Sequence, residues 1–287
     1  MWSVVDTNHR RIGKLFWTAF YRINLTVGIR RKNVFGREFC NPLMLREKYL
    51  SIGARKDLVE SAEQPMIVSH AKKFIFVKTR KTSGTSMEVS LSQVCGPDDI
   101  ITPISFEDEL VRLDMGGTLP QNYAGLGEQR YRDMIKARKM KFLRARRRGK
   151  FFNHMPAHAI REHVGKKTYD DYFTFSIERH PYEKVVSHIY YHARGKKNWS
   201  FDKELERVLK KKHYVNYPTY SDGEKPIVDF IVNFDNMQED LTTLGDRLEF
   251  DIVAHYPQTK HKFRTNRKPA SELLSQKVKD QIYKNCR

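Results

Sequence analysis

Short apolar runs that break off at small or charged residues set the rhythm of this chain. Phe74-Ile75-Phe76-Val77 is β-branched and aromatic, as a buried strand is, and it empties into a turn of small hydroxyl residues around Gly84. Met87-Glu88-Val89-Ser90-Leu91 then reads as the start of a helix. Phe173 to Ile177 predicts a second strand, stopping at Glu178-Arg179, and Pro181 suits the first position of a following helix. Phe151-Phe152-Asn153 predicts a short strand ending at His154, with a helix after Pro156. Glu128 to Arg148 predicts a helix, and Ile227 to Leu241 a strand and turn. Near the start, Ile12, Leu15, Phe16, Ala19, Phe20 and Ile23 fall at helical spacing among Arg10, Arg11 and Lys14. That is an amphipathic basic helix, either packed on the domain or lying on a membrane surface. Glu63-Gln64-Pro65 marks a junction, dividing a basic extension (1–65) from a single domain (66–287).

The chemistry gathers where the strands end. Strand, small-residue turn and helix together aim backbone N–H groups and a helix N-terminus at one spot, which suits an anion. Lys81 adds a full positive charge beside the turn Thr82-Ser83-Gly84-Thr85-Ser86. This is not the Walker loop, which needs a leading glycine, four spacers and then Gly-Lys; here the lysine precedes the glycine. In the second segment, Arg179 stands at a strand end and Ser187 lies about two helical turns further on, so both can face one ligand. An arginine fork with a hydroxyl suits a terminal phosphate. His154, at the end of its own predicted strand, would stand at the same sheet edge, and His158 is the substitute candidate one turn on.

Composition sharpens the partner class. Of 287 residues, 53 are Lys or Arg and 34 are Asp or Glu, a formal net charge of +19. Such a balance argues for polyanions: nucleic acid, an acidic membrane surface or an anionic polysaccharide. The run Arg144-Ala145-Arg146-Arg147-Arg148 concentrates that charge at the end of the predicted helix. No aromatic stacking pattern or nucleic-acid-binding module accompanies it, which ranks nucleic acid low. Cys40, Cys95 and Cys286 are too scattered for a disulfide framework or metal site and fit a reducing compartment. Arg22 interrupts the apolar run of the first helix, against a signal peptide, and no stretch reaches the ~18 apolar residues of a span. The expectation is a cytoplasmic protein, with peripheral membrane contact through that helix as the alternative to packing.

Together, Lys81-Thr82-Ser83-Gly84-Thr85-Ser86 and Arg179-His180-Pro181-Tyr182 to Ser187 resemble the paired signature of sulfotransferases that use 3′-phosphoadenosine 5′-phosphosulfate (PAPS). The carbohydrate branch of family 2 type is the most similar, over residues 66 to 285, including Phe234-Asp235-Asn236-Met237-Gln238-Glu239-Asp240. The chain departs from that branch at His180, where Asp or Asn is usual, and at Glu178, where the usual residue is apolar. A carboxylate at 178 would be expected to compete with phosphate for Arg179.

The resemblance implies an α/β fold: a parallel β-sheet flanked by helices, of the P-loop-like sulfotransferase type, with ligand at the strands' carboxyl ends. It implies transfer of the sulfuryl group of PAPS to a carbohydrate hydroxyl. His154 would be the base, Lys81 would neutralise the leaving oxygen, and Thr82, Ser83, Gly84, Thr85 and Ser86 would hold the phosphosulfate. Arg179 and Ser187 would hold the 3′-phosphate, and no metal is called for. Lys81 and Arg179 would then lie at one sheet edge, at opposite ends of an elongated pocket. The rivals are a small-molecule or nucleotide kinase with an atypical loop, and a basic polyanion- or membrane-binding protein with a degenerate site.

Overall fold

Strands form at the short β-branched runs, and chain length between them decides their direction. The computed structural model describes residues 66–123, 128–139, 150–152, 154–257 and 264–286. The 1–65 extension and the Arg144 to Arg148 run lie outside the described residues. Strands β1 (Ile67–Ser69), β2 (Phe74–Val77), β3 (Ile100–Ile101), β4 (Phe173–Glu178) and β5 (Phe230–Asn233) form one sheet in the order β3-β1-β2-β4-β5. β2, β4 and β5 are parallel, whereas β1 is antiparallel to both β2 and β3. The sheet is therefore mixed, a correction to the expected parallel one. Only residues 70–73 join β1 to β2, and a parallel neighbour needs a crossover of roughly a dozen residues.

The helices, in chain order, are α1 (Gly84–Leu91), α2 (Phe106–Asp114), α3 (Glu128–Lys136), α4 (Ala157–Val164), α5 (Lys166–Asp171) and α6 (Pro181–Ala193). They continue with α7 (Phe201–Lys211), α8 (Tyr217–Tyr220), α9 (Met237–Leu248), α10 (Ala270–Leu273) and α11 (Gln276–Cys286). Phe74 and Phe76 of β2, Phe175 and Ile177 of β4 and Val232 of β5 share one buried cluster with Met87 and Leu91 of α1 and Leu241, Leu244 and Leu248 of α9. The alternate residues Ile75, Val77 and Ser176 are equally buried. The central strands are thus covered on both faces, which is why β2 is apolar throughout. The rings of Phe76 and Phe175 stack at 5.3 Å, adding to the register what aromatic pairs contribute, about 0.5–1.5 kcal/mol beyond burial.

Three expected elements differ. Among the described residues of the predicted Phe151 to Asn153 strand no strand forms: Phe151 makes a single ladder-like bond, its N–H to the Tyr123 carbonyl at 3.3 Å, and Met155 N–H turns back to Phe152 O at 3.3 Å. The helix from Glu128 stops at Lys136, because Arg138 enters the left-handed region (φ 51) and Lys139 N–H closes on Met134 O at 3.0 Å, a Schellman ending. The Ile227 to Leu241 segment is only briefly strand; after β5 comes a 3-10 turn (Phe234–Asn236), started by Asn233 accepting from Asp235 N–H, and then α9.

Candidate active site at the carboxyl edge of the parallel strands

Parallel pairing brings the carboxyl ends of β2, β4 and β5 to one edge: Val77 pairs with Ser176, and Glu178 with Asn233. The loops that follow β2 and β4 are therefore neighbours, with the Phe234 turn beside them. The Thr79 hydroxyl donates to the Ile177 carbonyl, joining the two.

The β2 loop is built around a buried cation. Lys78, 6% exposed, turns inward and donates to Glu88 Oε2 at 2.7 Å and to Thr85 Oγ1 at 3.2 Å. Its stem crosses directly over Gly84, where an added Cβ would stand 2.7 Å from Lys78 Cγ and 2.8 Å from Cε. That close approach, rather than a special φ, is what requires glycine here. Lys81 (φ 61) and Ser83 (φ 63) both occupy the left-handed region, which costs a non-glycine residue about 1–2 kcal/mol. Such outliers collect at functional sites. They fold the loop so that the Ser83 carbonyl takes the N–H groups of Ser86 and Met87 at 3.0 and 3.3 Å, and the Tyr256 hydroxyl at 3.1 Å. The Ser83 side chain makes no capping bond to α1.

Of the expected loop ligands, Thr82 lies inside, its hydroxyl 2.9 Å from that of Thr79. Thr85 and Ser86 are also buried, while Lys81 and Ser83 are partly exposed. The Lys81 ammonium sits 3.9 Å from the centroid of the Tyr191 ring on α6, and the Arg194 guanidinium lies 4.0 Å from the same ring. Ser187 lies one turn before Tyr191 and is partly exposed.

Arg179 follows β4. Its guanidinium lies 4.1 Å from the Phe234 ring centroid and donates to Glu183 Oε2 at 3.1 Å, and its buried Nε finds no hydrogen-bond acceptor among the described residues. Glu183 also receives Arg264 Nη1 and, at 2.8 Å, the Ala270 N–H. Burial pushes that carboxyl up, but these bonds and the two guanidinium charges outweigh it and hold the pKa below the ordinary value. His180 caps α6, its Nδ1 accepting from Tyr182 N–H at 3.3 Å. Burial lowers its pKa, which preserves the lone pair that this cap uses.

Glu178 does not compete for the Arg179 side chain, a correction to the sequence expectation. It is buried (8% exposed), and its Oε1 takes the Arg179 backbone N–H and Lys184 Nζ, each at 2.7 Å.

His154 reaches the loop from its own turn, again in the left-handed region (φ 50). Its Nδ1 lies 2.7 Å from the Lys78 carbonyl oxygen. A carbonyl can only accept, so Nδ1 carries the proton and Nε2 keeps a lone pair. Burial, and then the charges of Arg80 and Lys78, hold the imidazole pKa well below its usual value, so the ring is neutral at physiological pH. His158 is exposed on α4.

Residues that the sequence did not mark complete the site. His192 and His213 are lowered to about 4, first by burial and then by Arg207 and Lys81 for the one and Arg80 for the other. The ring of His188 lies 5.8 Å from His192 and 6.3 Å from His213. Burial is the first cause of the lowering shared by all three rings, and the positive charge of Arg80, itself lowered to about 10 by burial, adds to it at His213 and His188. Tyr191 could have been found from its four-residue spacing to Ser187; Asn216 and Tyr256 are distant in the chain and carry no such signal. No cluster of metal-ligating side chains occurs among the described residues, and no helix there is long and apolar enough to cross a membrane.

No family model and no solved structure matches the chain. An uncharacterized protein of Archaeoglobus fulgidus is 40% identical over 101 residues, which is 33% of this chain and 82% of that protein.

Proposed function

We propose a function for this chain, which belongs to the family of that archaeal protein: transfer of the sulfuryl group of PAPS to a carbohydrate hydroxyl, on a P-loop-like sulfotransferase fold. The observation that carries the reading is the pairing of two cationic ligand sets at adjacent parallel strand ends. One is the Lys81–Ser83 loop with its α1 cap unfilled by a side chain; the other is Arg179, whose buried Nε has no hydrogen-bond acceptor among the described residues. Ligands of α/β sheets bind at such carboxyl edges.

In this reading the α1 N-terminus and the loop N–H groups hold the phosphosulfate in line, and Lys81 swings from the Tyr191 ring to the oxygen on which charge builds. Arg179, with Ser187, holds the 3′-phosphate. An alcohol is a poor nucleophile at neutral pH, so a base must take its proton as the new S–O bond forms. His154 Nε2 supplies that lone pair, while the Lys78 carbonyl fixes ring and tautomer. The acceptor is anionic in keeping with the charge of +19.

The test is ligand-dependent thermal stabilisation. 3′-Phosphoadenosine 5′-phosphate should stabilise the protein more than ATP or a heparin-like polyanion does, and labelled PAPS should label a glycan acceptor. Preference for ATP with magnesium would favour a kinase instead. Arg179→Ala should weaken PAPS binding about 10- to 150-fold, the cost of one charge-assisted contact, with adenosine 5′-phosphosulfate barely affected. Equal losses for both donors would remove the 3′-phosphate role.

A further inference from the structure

The two anion loops are tied together by a second set of bonds that the sheet does not need. Asn216, at the start of α8 and 1% exposed, pairs with both backbone groups of Arg80. Its Oδ1 accepts from Arg80 N–H at 3.1 Å, and its Nδ2 donates to Arg80 O at 3.0 Å. The same Nδ2 lies 3.3 Å from Glu178 Oε1, the oxygen that takes the Arg179 N–H. On the other side, Glu178 Oε2 accepts the Tyr220 hydroxyl at 3.1 Å. One amide and one carboxylate thus connect the peptide unit before Lys81 to the peptide unit of Arg179.

This arrangement is costly to build. Burying a carboxylate carries a desolvation penalty of several kcal/mol, and apolar replacement of such ion pairs is often neutral or stabilising. Here Lys184, Asn216, Tyr220 and a backbone N–H are all recruited to offset it. Thr79 and the β2–β4 ladder already hold the strands in register, so the additional bonds act on the loops beyond the strands.

We propose that Glu178 and Asn216 are positioning residues that fix the separation between the β2 loop and Arg179, so that one ligand with two anionic ends is gripped at both simultaneously. The identity of that ligand as a nucleoside 3′,5′-bisphosphate rests on the function proposed above. The physical gain is that of a chelate. Once one end is bound, the second meets its loop at high effective concentration, and that gain disappears when the spacing fluctuates.

The experiment compares three probes by titration calorimetry: 3′-phosphoadenosine 5′-phosphate, which spans both loops, and the 5′- and 3′-monophosphates of adenosine, which each use one. Asn216→Ala should weaken the bisphosphate about 10- to 100-fold, leaving each monophosphate within about twofold. Tyr220→Phe keeps the ring in place and removes one donor from Glu178; it is the milder variant should Asn216→Ala not fold, and should show the same selective pattern to a smaller degree. Equal weakening of all three probes, or no weakening of any, overturns the inference while leaving the proposed function standing. Wild-type protein that gains nothing from the second phosphate overturns both.

Discussion

At the amino end of β2, residues 70–73 turn the chain with Lys73 at φ 51, and Asp99, 0% exposed, takes Ser69 Oγ and the N–H groups of His70, Ala71 and Gly96 at 2.6–3.1 Å. At its carboxyl end, Lys78 is buried on Glu88, Lys81 and Ser83 are left-handed, and the following helix has no side-chain cap. Both ends bury a charge and tolerate strained backbone. At the amino end the donors converge inward on one carboxylate, so the turn is closed on itself. At the carboxyl end the buried cation sets the floor, while Lys81 lies over the Tyr191 ring, Arg179 lies over the Phe234 ring and on Glu183, and the helix N-terminus carries no side-chain cap. Strain and buried charge occur at both ends and so do not by themselves identify a functional site; the two ends differ in that one gathers donors on a single carboxylate and the other gathers cations at the strand ends.

The comparison breaks most sharply at His154 and Asp99. His154→Ala should lower turnover about 10²–10⁴-fold, the range for a lost general base, with donor binding near wild type and His158→Ala losing far less. Because the His154 pKa is lowered, the ring stays a base at pH values where an ordinary imidazole is protonated. The acid limb of kcat/KM should accordingly lie below pH ~6.5. A limb at or above that value would remove His154 from the role. Asp99→Ala should instead cost at least about 3 kcal/mol of stability, since it strands the buried Ser69 hydroxyl and the partly buried N–H groups of His70 and Gly96, and leave donor affinity of the folded fraction unchanged in urea-titrated samples. A selective loss of donor binding in that variant would place the amino end of β2 in the site as well.

What was legible in the sequence was local. Phe74 to Val77 forms a strand because its own side chains favour one, and Pro181 opens α6 because its φ is preset. The antiparallel β1 was readable in principle, since the polar stretch from Ser69 to Lys73 between two apolar runs leaves no length for a crossover. The role of Glu178 was not: a charge at a strand end looks exposed, and its partners Asn216 and Tyr220 lie 38 and 42 positions away. The lysine pair is similar. Lys81 stands next to the small-residue turn and Lys78 does not, yet the Lys78 stem is what makes Gly84 obligatory. For His154, two phenylalanines suggested a strand, whereas Phe151 is a buried anchor packed 5.7 Å from the His163 ring.

Gly84 offers the next smaller effect. Gly84→Ala forces the Lys78 stem aside and with it the ion pair to Glu88, an overpacking penalty of about 1–3 kcal/mol. Chemical denaturation should show that loss together with weaker anion binding, because the same lysine forms the floor of the loop. Loss of stability with unchanged anion affinity would show that Lys78 and Glu88 support the core alone.

The smallest expected effect separates backbone strain from ligand contact. Ser83 and Lys73 share the left-handed conformation, with φ 63 and 51, at opposite ends of one strand. Replacing either by glycine relieves about 1–2 kcal/mol of strain, and glycine's larger unfolded-state entropy returns roughly 0.5–1 kcal/mol of that. The Ser83 carbonyl bonds to Ser86, Met87 and Tyr256 survive the change, since they are made by the backbone; so does the bond from Phe173 N–H to the Lys73 carbonyl. Ser83→Gly and Lys73→Gly should therefore raise thermal stability by a similar amount, about 0.5–1 kcal/mol. Only Ser83→Gly should weaken donor binding, because under the proposed function only there is the lost side chain a donor contact. Equal affinities in the two variants would mean that the hydroxyl at 83 is not a ligand contact, and that the loop binds through its backbone and Lys81.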